Sequence, residues 1–194
     1  DLAISAMGIV FSVNTLFMMP IFGINQGSQP IIGFNYGAKQ YRRVKETLFY
    51  AIGGATIIVT LGFLATRFIP VQLVSLFGRH DPELMDLGVQ AMRTVMVMFP
   101  IIGYQVVGAN YFQAVGKPKK AAFLSLSRQV LLLIPLLLIL PRMWGLVGVF
   151  LAFPVSDIGS TILTTILLRR ELTLLDEQEE LEKMSFVAQT QPER

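Results

Sequence analysis

The sequence predicts an all-α polytopic membrane protein of five transmembrane helices followed by an acidic tail. Of its 194 residues 53% are hydrophobic and only 15% charged, with a mean hydropathy of +0.60. A soluble domain carries about 25% charged residues. Apolar stretches also recur at the length of roughly 20 residues that a hydrocarbon core of about 30 Å demands of a helix. That composition excludes a cytosolic enzyme, a disordered chain and a nucleic-acid module. No cysteine is present, which removes disulfide frameworks, thiolate metal sites and cysteine nucleophiles. A single histidine leaves little room for an imidazole metal site, so neither metal nor cofactor is expected.

The first span occupies about 2–38, with no charge between Leu2 and Ala38. The second covers about 47–77 and is charge-free from Thr47 to Thr66. The third, about 84–115, admits one intruder, Arg93, which is expected to snorkel or to pair with Asp86. The fourth covers about 121–141 around Arg128, and the fifth about 144–168 around Asp157. Together residues 1–170 form the predicted bundle, and 171–194 the tail.

Charge is unevenly divided. Through Arg170 there are fourteen bases and six acids; beyond it, two bases and seven acids. The high pI therefore indicates no nucleic-acid partner. Lys39, Arg42, Arg43 and Lys45 lie between spans one and two, Lys117, Lys119 and Lys120 between three and four, and Arg169–Arg170 after five. By the positive-inside rule these loops are cytoplasmic. The chain then starts outside and ends inside. A first residue that enters a span almost directly, with neither initiator methionine nor signal peptide, is expected of the C-terminal part of a longer protein. The tail reads as a separate solvated piece, with leucines at 172, 174, 175 and 181 suiting a short helix and fraying near Pro192.

Polar groups at membrane depth need partners or water. Span one carries Asn14 near its middle, then Gly23, Gln26, Gly27, Gln29, Pro30, Asn35, Tyr36 and Gly37. Glycines and Pro30 favour a bend, and this group suits packing or gating near the cytoplasmic end. Span three offers Met92, Met96, Phe99, Tyr104 and Gln105: soft and aromatic surface that accepts varied ligands and attracts cations. With Asn14 these are the candidates for a substrate cavity. Arg128 and Asp157 lie at nearly equal distances from the turn near residue 143. An antiparallel hairpin brings them to the same depth, where a buried ion pair is expected. Gly148, Ala152, Ser156 and Ser160, every fourth residue, predict a close packing seam.

No Walker A loop, G-x-S-x-G, H-E-x-x-H or membrane-depth carboxylate pair occurs, so the protein is not expected to be an enzyme. His80 reads as a loop residue.

The run Gly23-Ile-Asn-Gln-Gly-Ser-Gln-Pro-Ile-Ile-Gly-Phe-Asn-Tyr-Gly-Ala-Lys39 with Tyr41-Arg-Arg-Val-Lys45 resembles a motif of the MATE (multidrug and toxic compound extrusion) family. Phe112-Gln-Ala-Val-Gly-Lys-Pro118, Ser127-Arg-Gln129, Trp144-Gly-Leu-Val-Gly148 and Ala152-Phe-Pro-Val-Ser-Asp157 are similar to the family in the same order. Its MepA-type bacterial branch is the nearest likeness. The resemblance implies a twelve-helix antiporter of two six-helix lobes, this chain supplying helices eight to twelve. It implies export of cationic amphipathic compounds in exchange for H⁺ or Na⁺. The coupling-ion site is then expected in the N-terminal lobe, which lies outside this chain. Two rivals remain at this point: a flippase for lipid-linked or polysaccharide precursors, and a non-transporting membrane assembly subunit.

Overall fold

Unbroken apolar sequence carries α1 from Leu2 to Gly37, 36 residues that stay helical through Pro20 and Pro30. At 1.5 Å per residue this is about 54 Å, more than a bilayer core requires. The computed structural model describes residues 2–77 and 82–190. His80, with Arg79 and Asp81, and Pro192 lie outside the described residues. Every element among the described residues is helical.

The chain leaves α1 through a left-handed residue, Lys39 (φ 58°), with the Gln40 N–H donating to the Asn35 carbonyl at 2.8 Å. That bond reaches back five residues and closes a Schellman-type cap. α2 (Tyr41–Phe68) returns across the bundle. It starts before the predicted position 47 and ends before 77, because Pro70 biases Ile69 out of the helical region (φ −128°, ψ 45°). Pro70–Phe77 forms a separate short helix, α3.

The third crossing is composite. α4 (Pro82–Val95) passes through a 3₁₀ turn, Met96–Met98, into α5 (Phe99–Ala114). Pro100 has no N–H for the Met96 carbonyl and its ring crowds that group, which accounts for the local tightening. α5 ends on Gly116 (φ 72°), where the Lys117 N–H reaches the Phe112 carbonyl at 2.8 Å, a second Schellman-type cap. The fourth crossing begins with α6 (Pro118–Leu126) and loosens into a π-helical turn, Ser127–Leu133, ahead of Pro135. It continues into α7 (Ile134–Thr190), which breaks at Trp144 and Gly145.

Among the described residues, four continuous helical runs are long and apolar enough to cross a membrane, the last being Pro118–Glu182. The break at Gly145 (φ 54°, ψ −134°), a conformation open only to glycine, folds that last run into a hairpin and yields five crossings. Gly148 then lies against the Leu140 carbonyl, too close for any Cβ. The fold is an all-α membrane bundle.

Its core lies between α1, α2 and α5, around Val13, Ile21, Leu48, Ala55, Val59 and Ile102. At Gly103 an added Cβ would stand 2.8 Å from the Ala55 carbonyl carbon, so α2 and α5 meet backbone to backbone. The outside is apolar as well: Ile4, Tyr50 and Phe68 are 77%, 82% and 80% exposed. Side chains of that size facing outward along whole helices fit lipid rather than water.

The expectation for the tail changes as well. The acidic tail is not a separate solvated piece, because α7 continues without interruption from the fifth span to Thr190. Its acids meet the loop lysines. Glu171, 1% exposed, accepts from Lys117 through Oε1 and from Lys120 through Oε2 at 2.9 Å. The Lys45 ammonium donates to Glu179 at 2.8 Å and to Asp176, and Lys39 lies 3.3 Å from Glu182. Opposite charges that lie far apart in the sequence are thus joined at one end of the bundle, called below the basic end.

A polar cavity between α5, α6 and α7

Three helices each turn a polar stripe to a common space. α5 presents Gln105, Asn110 and Gln113, and α6 with its π turn presents Ser125, Arg128 and Gln129. α7 adds Ser160 and Thr164, one turn apart. The space is open on one side, where Gln113, Ser125 and Gln129 are exposed, and its volume is about 230 Å³. The Gln105 amide donates to Ser160 Oγ at 2.6 Å, tying α5 to α7 across its wall. Gln105 Oε1 and Thr164 Oγ1, both buried, have no hydrogen-bond partner among the described residues. The accessible lining groups, Asn110, Gln113, Ser125 and Gln129, offer donors and acceptors to a small polar group, and an apolar ligand would leave them unsatisfied.

Arg128 forms one side. Its Nε donates to Asp157 Oδ1 at 2.8 Å, and Nη2 lies 2.7 Å from the same oxygen as an ion pair. The Asp157 side chain is 3% exposed and that of Arg128 36%, so the guanidinium reaches the cavity while the carboxylate is enclosed. The π-helical turn places Arg128 there, since Ser127–Leu133 is wound more widely than the α-helix on either side. The pair cancels its own charge and leaves the cavity neutral.

The other sequence-predicted residues distribute as follows. Gln105 lines the cavity. Tyr104, the preceding residue, turns about 100° away into a groove of about 410 Å³ with Leu48, Ile52 and Arg169. Met92, Met96 and Phe99 do not face a cavity: they are 0%, 2% and 1% exposed in the core. Phe99 meets the Phe17 ring edge-on at 6.2 Å and crowds Gly62. Asn14 is half-buried on α1, its Oδ1 without a partner among the described residues, and does not line the polar cavity. Arg93 is exposed and makes no ion pair with Asp86 among the described residues.

The α1 motif divides by face. Gly23, Gln26, Gly27, Pro30 and Gly37 point outward, whereas Asn25 and Asn35 are buried. The Asn35 amide donates to the Ile31 carbonyl at 2.8 Å, and the Tyr36 ring meets Tyr41 edge-on at 6.0 Å. Gln29 and Asn25 face Asn110 and Tyr111 across a narrow gap in the α1–α5 seam. Gly33 permits the approach, because a Cβ there would stand 3.0 Å from the Ala114 carbonyl oxygen. Asn110 belongs to both this gap and the cavity.

Composition obscured Ser125, Gln129, Ser160 and Thr164. The available signal was positional: 121, 124, 125, 128 and 129 recur at helical spacing, as do 160 and 164, and each set lines one face.

Beyond the spans, the Glu171 clasp has a definite ionisation. Burial pushes the Glu171 carboxyl up, but the Lys117 and Lys120 ammoniums outweigh it and hold it below the usual carboxylate value. Burial pulls Lys117 down, and Glu171 raises it above the usual lysine value. Hydrogen bonds to Asp176 and Glu179 raise Lys45. Glu171, Lys117 and Lys45 are therefore charged at neutral pH.

Known proteins extend the picture. A FAD transporter of Shewanella oneidensis is 24% identical over 156 residues, which is 80% of this chain and 34% of the relative. Multidrug export protein MepA of Staphylococcus haemolyticus is 24% identical over 175 residues, 89% of this chain and 38% of the relative. The chain thus spans between a third and two fifths of the relatives it matches. Among solved structures, the MATE multidrug transporter DinF-BH superposes with a TM-score of 0.78 at 45% identity, over 84% of this chain and 36% of that one. An outward-facing MATE transporter of the MOP superfamily shares the fold, with a TM-score of 0.81 at 20% identity over 89% of this chain and 39% of that one. The sequence model of the MatE family matches residues 1–139, and the chain belongs to that family.

Proposed function

We propose that this chain is the C-terminal half of a secondary active antiporter that exports cationic amphipathic compounds in exchange for H⁺ or Na⁺. The observation that carries the reading is the polar cavity between α5, α6 and α7, built at membrane depth beside the Arg128–Asp157 pair. A bilayer protein gains nothing from turning amides and hydroxyls to a common space unless something polar meets them there. Membership of the MatE family and the MepA relatives support export as the activity.

In this reading the cavity holds the hydrogen-bonding part of the substrate, and the groove beside Tyr104 offers apolar and aromatic surface to the rest. The N-terminal lobe is the partner and carries the coupling-ion site. The two lobes rock about the bilayer midplane. The protein lies in the bacterial inner membrane, the basic loops cytoplasmic and the N-terminus of this chain outside. It performs no catalysis.

A second substrate class has support in the relative named as a FAD transporter and in the Arg128 side chain, which stays partly exposed to the cavity. An anionic dinucleotide would pair with that guanidinium. Transport into vesicles by the full-length protein decides between them. A cationic dye moved by an imposed H⁺ or Na⁺ gradient supports drug export. Movement of FAD instead supports the second class, and movement of neither contradicts both.

A further inference from the structure

We propose that Glu171, held by Lys117 and Lys120, is a gate that closes the basic end of the polar cavity. This rests on the reading of that cavity as a transport site. The placement is direct. Ala121, the residue after Lys120, lines the cavity from α6, and Thr164 lines it from α7 seven residues before Glu171. Seven residues of helix span about 10 Å. The clasp therefore sits just beyond the last lining residues on both walls, between the cavity and the loops.

Its construction suits a gate. Glu171 is 1% exposed, while the other tail acids that pair with lysines range from 19% at Glu179 to 60% at Asp176. One carboxylate serves two ammoniums, one oxygen each. The same ammoniums lie over rings of two further helices: Lys117 is 5.7 Å from the Tyr36 centroid and Lys120 5.5 Å from that of Phe112. α1 and α5 thus touch the two ammoniums that α6 and its cap hold against the α7 carboxylate. The contact is ionic, so it opens by exchanging its partners for water, with no repacking of the apolar core. The more exposed pairs farther along α7, Lys45 with Asp176 and Glu179 and Lys39 with Glu182, keep the helix tethered while the clasp opens.

The absence of cysteine from this chain makes the test simple. In the full-length protein, with any thiols elsewhere replaced, Ser125→Cys places one thiol on the cavity wall. A membrane-impermeant, positively charged methanethiosulfonate reagent is then applied to the face bearing the basic loops. Glu171→Gln is expected to speed labelling about tenfold, the scale on which losing a charge-assisted hydrogen bond shifts an opening equilibrium. The reversed set, Glu171→Lys with Lys117→Glu and Lys120→Glu, is expected to slow it again. An unchanged labelling rate in folded Glu171→Gln protein overturns the gate. Should Glu171→Gln fail to fold, Lys120→Met removes one arm alone: an intermediate acceleration supports the gate and an unchanged rate overturns it. Dye transport by the unsubstituted protein is scored separately. Transport with gate-insensitive labelling sinks the gate only, whereas altered labelling without transport of dye or FAD sinks the transport reading.

Discussion

At the scale of the residue, Arg128 and Asp157 are unequal partners. Asp157 is enclosed and Arg128 reaches the cavity, so the two deletions leave different debris. Arg128→Met strands a buried carboxylate and is expected to cost about 3–5 kcal/mol. Asp157→Asn leaves a guanidinium with access to the cavity and is expected to cost about 1–3 kcal/mol. Thermal unfolding in detergent orders the two, and equal losses would contradict the asymmetry. Their common depth follows from counting residues on either side of the turn. The burial of Met92, Met96 and Phe99 does not, because span three carries apolar residues well beyond one face and composition cannot say which of them meet the core. The same limit separates Tyr104 from Gln105: their adjacency is visible in the chain, and the groove and the cavity that divide them are made by other helices.

At the scale of the element, the spans are legible and their ends less so. Hydropathy marks where a helix is apolar enough to cross, while prolines and caps decide where it tightens, widens or stops. Met96–Met98 ahead of Pro100 and Ser127–Leu133 ahead of Pro135 illustrate it. Gly116→Ala forces a Cβ into a left-handed cap (φ 72°) and is expected to lower stability by about 1 kcal/mol, measurable as a fall in melting temperature. The tail is the element that composition misled. Its acids read as a solvated run because their lysine partners lie in loops far away in sequence. The docking depends on pH with a definite sign. Glu171 titrates below the 4.5 usual for glutamate, so its contribution is complete above that value and declines as pH falls through the lower folded value. Melting temperature is expected to hold from pH 7 to about 5 and then fall, with Glu171→Gln protein losing that acid-dependent component. The same slope in both proteins would assign the acid sensitivity elsewhere.

At the scale of the whole molecule, five crossings, an apolar exterior and a polar cavity make a lobe whose outside meets lipid and whose interior holds hydrogen-bonding groups. Membership of the MatE family agrees with that division. The central claim is that substrate engages the cavity between α5, α6 and α7, and a single substitution addresses it. Ser125→Phe fills the cavity from α6 while leaving the Gln105–Ser160 and Arg128–Asp157 bonds in place. The full-length protein carrying it, compared with Met92→Leu as a core control, is assayed for gradient-driven dye transport. The account predicts that Ser125→Phe raises KM for the dye at least about tenfold, the cost of one lost favourable contact of about 1.4 kcal/mol, while Met92→Leu leaves KM unchanged. Unaltered KM in a folded Ser125→Phe protein would contradict it.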